Sequence, residues 1–181
     1  MLMLGMMLLN LKKMREDNIT DKCLEFIKQY KGSVPHHDQG TINAICNQRI
    51  LVIHPKYNVQ SPMYTYTADK IKKMYKIEQY YSQEEIDEAI SKPVFIHYTD
   101  GFFGRPWNRD CTHPKKELYL KYMEQSYWNG KIDDAKLNKN VVLMRKLYNY
   151  LPFKFYCVLT RIISKRKEKR IKNKYENIRR K

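Results

Sequence analysis

Short apolar runs separated by helical patterns constrain the fold of this chain more than any other feature. Three runs have the composition of buried strands: residues 1–11, 50–54 and 94–97. Residues 12–30 and 41–48 carry apolar side chains at the spacing that is typical of helices. Because short strands alternate with helices, we expect an α/β domain, and 181 residues are enough for one domain with a core.

The opening run, MLMLGMMLLNL, has the composition of a buried strand, of a signal or of a membrane anchor. It is only about half as long as a segment that spans a bilayer. Its positive charges follow the apolar residues, whereas a secretory signal carries them in front. We therefore interpret it as a buried strand, in which Gly5 permits close approach of a ligand or another segment. Such a strand needs neighbours on both sides, so we expect the chain to begin in the middle of a domain.

Positive charge is concentrated at the end of the chain. Of the formal net charge of +16, the residues from Arg145 onward contribute +12. The same region carries apolar and aromatic side chains at Phe153, Phe155, Tyr156, Leu159 and Ile162. This combination is typical of a segment at an anionic membrane surface, of a helix packed on the body, or of a nucleic-acid-binding tail. Nucleic acid is the least expected partner, because aromatic and cationic residues of the body do not interleave.

The four cysteines are widely separated and form no C-x-x-C pair. At this chain length the spacing does not suggest a disulfide framework, so it predicts a reducing compartment. Together with the basic tail, this favours a cytoplasmic protein, or one that is peripheral on the inner face of the plasma membrane.

The segment HHDQG, residues 36–40, combines two histidines with a carboxylate. Its spacing matches no established metal motif. Such a cluster is more often a helix start that Asp38 caps, and a polar side chain at this position can also face a ligand cleft.

The stretch HYTDGFFGRPWN, residues 97–108, follows a predicted strand. In open α/β sheets ligands bind beyond the carboxyl ends of strands, where a neutral imidazole such as that of His97 can ligate a divalent cation. Gly101 and Gly104 can present backbone amides to phosphate, and Arg105 can bind phosphate through two parallel hydrogen bonds. A surface histidine beside a Gly-Pro turn explains the same residues without a ligand, with Trp107 supporting the loop.

These motifs resemble glycosyltransferase family 8. GMMLLNLKKMRED, HHDQGTIN, and HYTDGFFGRPWN followed by CTHP occur here in the order that the family has, over roughly residues 3–128. The family comprises retaining transferases that use nucleotide sugars, typically UDP-hexoses, and Mn²⁺. The resemblance implies transfer of a hexosyl group from a UDP-sugar to a glycan or lipid-linked acceptor.

At the carboxyl side, the resemblance implies a role for each residue of the motif. His97 corresponds to the metal-ligand histidine. Gly101, Gly104 and Arg105 correspond to the part of the motif that binds the diphosphate, with arginine where the family has lysine. Trp107 completes the Arg-Pro-Trp sequence that corresponds to the family's Lys-Pro-Trp.

Nearer the start of the chain, the resemblance implies catalytic and substrate-binding residues. Asp38 and Gln39 match an Asp-Gln pair that lies near the sugar and the acceptor, and we take them as the catalytic candidates. Gly5 and Asn43 are the implied substrate-binding positions. Gly40 stands where many family members carry a second aspartate.

A D-x-D pair, which supplies most of the family's metal ligands, is not found in the chain. The resemblance therefore implies the C-terminal part of a Rossmann-like, GT-A type nucleotide-diphospho-sugar transferase domain whose N-terminal nucleotide-binding half is missing. We expect a partial transferase domain over residues 1–130, and a linker with a basic amphipathic tail over 131–181. On this basis the Mn²⁺ site is incomplete and transfer by the chain alone is impaired. The alternatives are a non-catalytic remnant that serves as a membrane-docking or interaction piece, and a basic nucleic-acid-binding protein.

Overall fold

A computed structural model describes residues 5–99, 102–134 and 136–180. The chain divides into two compact units, one formed by residues 1–53 with 161–181 and one by residues 54–160. Within the described residues the protein is mostly helical, with one small parallel sheet. The mixed α/β class is thus confirmed, although strands contribute far less than the sequence predicts.

The first unit is built on three helices, α1 Leu11–Glu16, α2 Ile19–Gln29 and α3 His37–Ile45. Asn18 separates α1 from α2 with a left-handed backbone (φ 51°), and Asn10 caps α1 by accepting from the Lys13 amide at 3.0 Å. The predicted helical region 12–30 is confirmed with this one break. The helix predicted from residue 41 begins four residues earlier, at His37.

Two predicted strands of this unit do not form in the described residues. Residues 7–10 and 50–54 are assigned to neither a helix nor a sheet, and residues 1–4 of the first predicted run lie outside the described residues. A strand is assigned only where a neighbouring strand pairs with it.

The second unit holds the sheet, in which β1 Val59–Gln60 pairs in parallel with β2 Ile96–His97. Two 3-10 turns, Pro55–Tyr57 and Ser61–Tyr64, flank β1. The prediction of a strand at residues 94–97 is confirmed for its last two residues.

The remaining helices of the second unit are α4 Ala68–Tyr75, α5 Gln83–Ser91, α6 Lys116–Glu124 and α7 Lys139–Tyr150, and α8 Phe153–Arg180 begins there. Ser82 and Glu85 form a capping box at the start of α5, as the sequence predicts. None of the helices in the described ranges is long and apolar enough to cross a membrane.

Two apolar clusters form the core of the second unit. One contains Val59, Met63 and Ile86, and places β1 against α5. The other contains Tyr66, Ile71 and Tyr156. The hydroxyls of Tyr66 and Tyr156 are hydrogen-bonded to each other at 3.1 Å. The first cluster fixes β1, and β1 in turn fixes the end of β2.

Candidate functional site

His97 stands at the carboxyl end of β2, where the chain leaves the sheet. The parallel register pairs it with Gln60. Its ring is half-buried, and the distance from Nδ1 of His97 to Oδ1 of Asn58 is 3.2 Å. Because a carboxamide oxygen only accepts, Nδ1 carries the proton and Nε2 keeps its lone pair. A histidine held through one ring nitrogen and free at the other is the usual form of a metal-ligating histidine.

The charge state of His97 agrees with this geometry. Burial lowers the pKa of the imidazole below its ordinary value, and the positive charge of Arg105 lowers it further. Both effects favour the neutral ring, since each penalises a second positive charge. The ring is thus suited to act as an electron-pair donor near neutral pH.

Arg105 lies beside the same strand end. Its Nη1 donates to the carbonyl oxygen of Tyr98 at 3.0 Å, and its guanidinium carbon lies 5.6 Å from the centre of the Trp107 ring. Trp107 in turn packs on Tyr119 of α6, with ring centres 6.0 Å apart. One backbone contact and one ring hold the guanidinium in place and leave further N–H donors for an anionic ligand.

Gly104 turns the loop between β2 and Arg105. Its φ of +76° is the left-handed region, and a Cβ at this position would lie 2.5 Å from Cδ2 of Leu137. The peptide carbonyl of Gly104 accepts a weak contact from the thiol of Cys111 at 3.7 Å. Gly101, the other glycine assigned to diphosphate, lies outside the described residues.

A second segment fixes the loop beyond Trp107. The Asp133 amide donates to the Trp107 carbonyl at 2.8 Å, and the Arg109 amide donates to the Asp133 carbonyl at 2.9 Å. Arg109 also forms an exposed ion pair with Asp134. The adjacent pair Asp133-Asp134, which lies in a polar linker in the sequence, therefore serves to hold the loop.

The catalytic candidates of the sequence, Asp38 and Gln39, belong to the first unit. Asp38 is exposed in the first turn of α3, and Gln39 is half-buried. The backbone carbonyl of Gln39 accepts from the Asn43 side chain at 2.8 Å. Asp38 does not cap α3, because the helix already begins at His37.

Gly40 has a steric role. A Cβ added to it would lie 1.9 Å from the carbonyl oxygen of Pro35, so no side chain fits while the preceding loop keeps its course. Glycine at this position is therefore explained by the packing of the loop over α3.

Asn43 and Gly40 line an open pocket of about 630 Å³ in the first unit. Rings and side-chain amides share its wall, at Phe26, Tyr30, Asn47 and Gln48 among others. Flat rings beside hydrogen-bonding amides are the groups that polar, partly apolar ligands require. Gly5, the remaining substrate-binding candidate, lies half-buried in a bend of the same unit.

No three His, Cys, Asp or Glu side chains in residues 5–99, 102–134 and 136–180 lie close enough together to hold a metal ion. His97 offers one nitrogen, whereas hard divalent cations require several oxygen ligands. The described residues of this chain therefore do not by themselves fit a Mn²⁺ ion.

Two residues of the site were not foreseen from the sequence. Asn58 orients the His97 ring, and Tyr98 supplies the carbonyl that receives Arg105. Asn58 precedes a strand of two residues, too short to be recognised by alternation of side chains. Its position next to His97 follows only from the parallel register of β1 and β2.

Comparison with known proteins gives the family. The model of glycosyl transferase family 8 matches residues 1–111, which is more than half of the chain and includes the strand end with His97 and Arg105. The chain belongs to glycosyl transferase family 8. Members of this family generally use a divalent metal.

Two relatives illustrate the range of similarity. General stress protein A of Bacillus subtilis is 29% identical over 127 residues, which cover 69% of this chain and 41% of that protein. Lipopolysaccharide 1,2-glucosyltransferase of Escherichia coli is 25% identical over 147 residues, which cover 81% of this chain and 39% of that protein. This family 8 chain thus spans about two fifths of the length of these relatives. No solved structure matches it significantly.

Proposed function

We propose that the end of β2 contributes the diphosphate-binding part of a transferase that moves a hexosyl group from a UDP-sugar, with retention, to a glycan or lipid-linked acceptor. The observation that carries this proposal is the placement of a neutral His97 and a held Arg105 at one strand end. A guanidinium that is already oriented loses little freedom on binding phosphate, so it binds more tightly than a mobile cation.

The residues of this chain have separate tasks in that reaction. Arg105 binds the leaving diphosphate and stabilises the charge that develops on it, while Trp107 keeps the guanidinium in position. His97 would supply one ligand to the divalent metal that the family generally uses, with its tautomer fixed by Asn58, and further ligands would be needed to hold the ion. Asp38, Gln39 and Asn43 are proposed to line the sugar pocket. The metal ligands that a D-x-D pair provides in the family are not among the residues of this sequence.

A transfer assay with radiolabelled UDP-glucose or UDP-galactose, Mn²⁺ and a bacterial lipid extract tests this function. We expect slow turnover, because the described residues do not by themselves fit a Mn²⁺ ion. Labelled product should keep the anomeric configuration of the donor and should be lost on the substitution Arg105→Gln. Arg109→Gln is the matched control, since Arg109 is exposed and paired with Asp134.

Three results would count against this account. Rapid transfer by the chain alone would refute the incomplete site. A product of inverted configuration would refute the retaining mechanism. Equal loss of product in Arg105→Gln and Arg109→Gln would remove the special role of Arg105.

A second proposal concerns α8. Phe155, Val158 and Ile162 are 66%, 53% and 45% exposed and share one face of the helix at i, i+3 and i+7 spacing. The helix continues into the cationic sequence KRKEKR. We propose that this face lies in the headgroup region of an anionic membrane, which brings the chain to lipid-linked acceptors on the inner face of the plasma membrane.

A further inference from the structure

Cys23 and Cys46 are the two cysteines of the first unit. Both are half-buried free thiols, so small reagents can reach them. Cys111 and Cys157 belong to the second unit and are only 7% and 4% exposed. The four thiols therefore differ in access, and Cys23 and Cys46 are the pair that is open to chemistry from outside.

The packed side of α2 includes Cys23. Apart from buried Ile19, the residues of this helix that are not exposed are Cys23, Phe26 and Ile27. Their spacing of three and four residues places them on one side of the helix. Phe26 shares a pocket wall with Gly40 and Asn43 of α3, so this side of α2 faces α3.

The register of α2 against α3 brings Cys46 opposite Cys23. The two helices pack on one another and are joined by a short loop, so they run antiparallel. In an antiparallel pair, a step toward the start of one helix corresponds to a step toward the end of the other. Cys23 lies three residues before Phe26, and Cys46 lies three residues after Asn43. About one helical turn beyond the shared pocket wall, the two thiols therefore face each other.

An electrostatic effect agrees with this placement. Burial raises the pKa of the Cys23 thiol above its ordinary value, and the charge of Cys46 raises it further. A like charge acts in this way only at short range, so the two sulfur atoms lie near each other. Cys46 is also the residue that ends α3, where the backbone adjusts more easily than in the middle of a helix to the geometry of a disulfide.

We propose that Cys23 and Cys46 form a reversible disulfide, which ties α2 to α3, by exchange with a low-molecular-weight disulfide such as oxidised glutathione. One cysteine attacks a sulfur of oxidised glutathione as the thiolate, forms a mixed disulfide and releases one glutathione. The other cysteine attacks the protein sulfur of the mixed disulfide, completes the bond and releases the second glutathione. The two protein thiols lose two electrons and two protons in total, which the two molecules of glutathione carry away.

The disulfide acts on the pocket of the first unit. Because α2 carries Phe26 of the pocket wall and α3 carries Asn43, a bond between the helices fixes the distance across the pocket. In reducing compartments disulfides are usually transient and redox-sensing, so a reversible bond agrees with the compartment expected from the cysteine spacing. The proposal goes beyond the transfer function and does not depend on it.

Oxidation of the folded full chain with oxidised glutathione tests the proposal. After quenching and unfolding, N-ethylmaleimide should label all four cysteines of the untreated chain and only Cys111 and Cys157 of the treated chain. Trypsin cleaves after lysine and arginine, so the digest should contain residues 23–28 joined by a disulfide to residues 32–49. Dithiothreitol should restore labelling of Cys23 and Cys46.

A matched variant tests the register. Cys23→Ser combined with Lys22→Cys keeps the number of thiols but moves one of them to the exposed neighbouring position of α2. One residue along a helix turns the side chain by about 100° around the axis, so this thiol no longer faces α3. We expect its link to Cys46 to form at least about tenfold more slowly, with glutathione adducts in its place.

Hydrogen–deuterium exchange measures the effect on the helices. In the linked chain the amides of residues 19–29 and 37–45 should exchange at least about tenfold more slowly than in the reduced chain, because the bond restricts the opening of α2 from α3. Exchange in α5, residues 83–91, should not change, since this helix belongs to the other unit.

Several outcomes would each overturn the proposal. Labelling of all four cysteines after treatment, or glutathione adducts at Cys23 and Cys46 without a link, would show that the thiols do not meet. A link that joins two separate chains, or one that forms equally fast in the Lys22→Cys variant, would contradict the register. Unchanged exchange of α2 and α3 in the linked chain would show that the bond does not tie the helices. None of these measurements uses a nucleotide or a sugar, so failure here is separate from failure of the transfer function.

Discussion

At the scale of single residues, Gly40 is fixed by the loop in front of α3. Gly40→Ala should destabilise the first unit by about 1–3 kcal/mol, the usual cost of overpacking, because the new Cβ meets the Pro35 carbonyl. Gly32→Ala is the matched control. It has nothing within 4 Å, so it carries only the strain of its positive φ, about 1–2 kcal/mol. Urea unfolding measures the loss of stability in each variant, and local exchange at the loop distinguishes the two causes.

Amide exchange in the Gly40 variant also tests whether the loop in front of α3 moves. If the loop shifts to relieve the contact, exchange of the amides of residues 34 and 36–40 should increase in Gly40→Ala and remain unchanged in Gly32→Ala. An equal loss of stability in the two variants, with no local change at the loop, would contradict the steric role of Gly40.

His113 is a buried titratable residue of the second unit. It is 3% exposed between the rings of Tyr64, Tyr98 and Phe103, at ring-centre distances of 4.8, 4.8 and 5.0 Å. Its Nδ1 accepts from the Lys115 amide at 3.1 Å. Burial, with a smaller contribution from the charge of Lys115, lowers the pKa of His113 from 6.5 to about 4.

This lowered pKa predicts how stability depends on pH. Between pH 6.5 and about 4 the unfolded chain binds a proton at His113 that the folded chain does not bind, so stability is complete above pH 6.5 and falls as the pH drops toward 4. His113→Phe should reduce the slope of unfolding free energy against pH by up to about 1.4 kcal/mol per pH unit. Urea unfolding from pH 7 to pH 4 measures it, with the exposed His36→Gln as control. An unchanged slope in His113→Phe would contradict the prediction.

At the scale of elements, α8 carries the membrane proposal. Val158→Asp should reduce sedimentation with vesicles that contain phosphatidylglycerol, because a carboxylate would enter the apolar face of the helix. Val142→Asp on α7 is the control, since Val142 is 37% exposed and lies outside α8. Binding to neutral phosphatidylcholine vesicles should be weaker for every form of the chain, because the cations of α8 attract anionic lipid.

Different outcomes would contradict the role of α8. Equal binding to neutral and anionic vesicles would show that the cations do not contribute. An equal effect of Val142→Asp and Val158→Asp would show that the apolar face of α8 is not the contact. Salt-sensitive binding to RNA without any binding to vesicles would favour the nucleic-acid alternative.

Helices were more predictable from the sequence than strands. The capping box at Ser82 and Glu85 is local, so four residues of sequence contain the whole signal. The apolar runs at residues 1–11 and 50–54 are predicted as strands from their composition, but a strand also needs a partner elsewhere in the chain. In the described residues β1 and β2 are the only strands, and two residues of each are paired.

The candidate site shows the same limit. His97, Gly104, Arg105 and Trp107 lie in one short stretch of sequence, so the motif places them together. The groups that hold them come from distant segments, Asn58 and the loop at Asp133, and no local pattern reveals such contacts. Asp38 and Gln39 belong to the first unit, and their role at the sugar stays a prediction.

At the scale of the whole molecule, the central claim is that the end of β2 recognises a diphosphate. Calorimetric titration of UDP and of uridine, each with Mn²⁺, tests it most directly, because the two ligands differ only in the phosphates. We predict that UDP binds at least about tenfold more tightly than uridine, and that Arg105→Gln removes this difference while Arg109→Gln keeps it. Equal affinities for UDP and uridine, or an unchanged difference in Arg105→Gln, would contradict the claim.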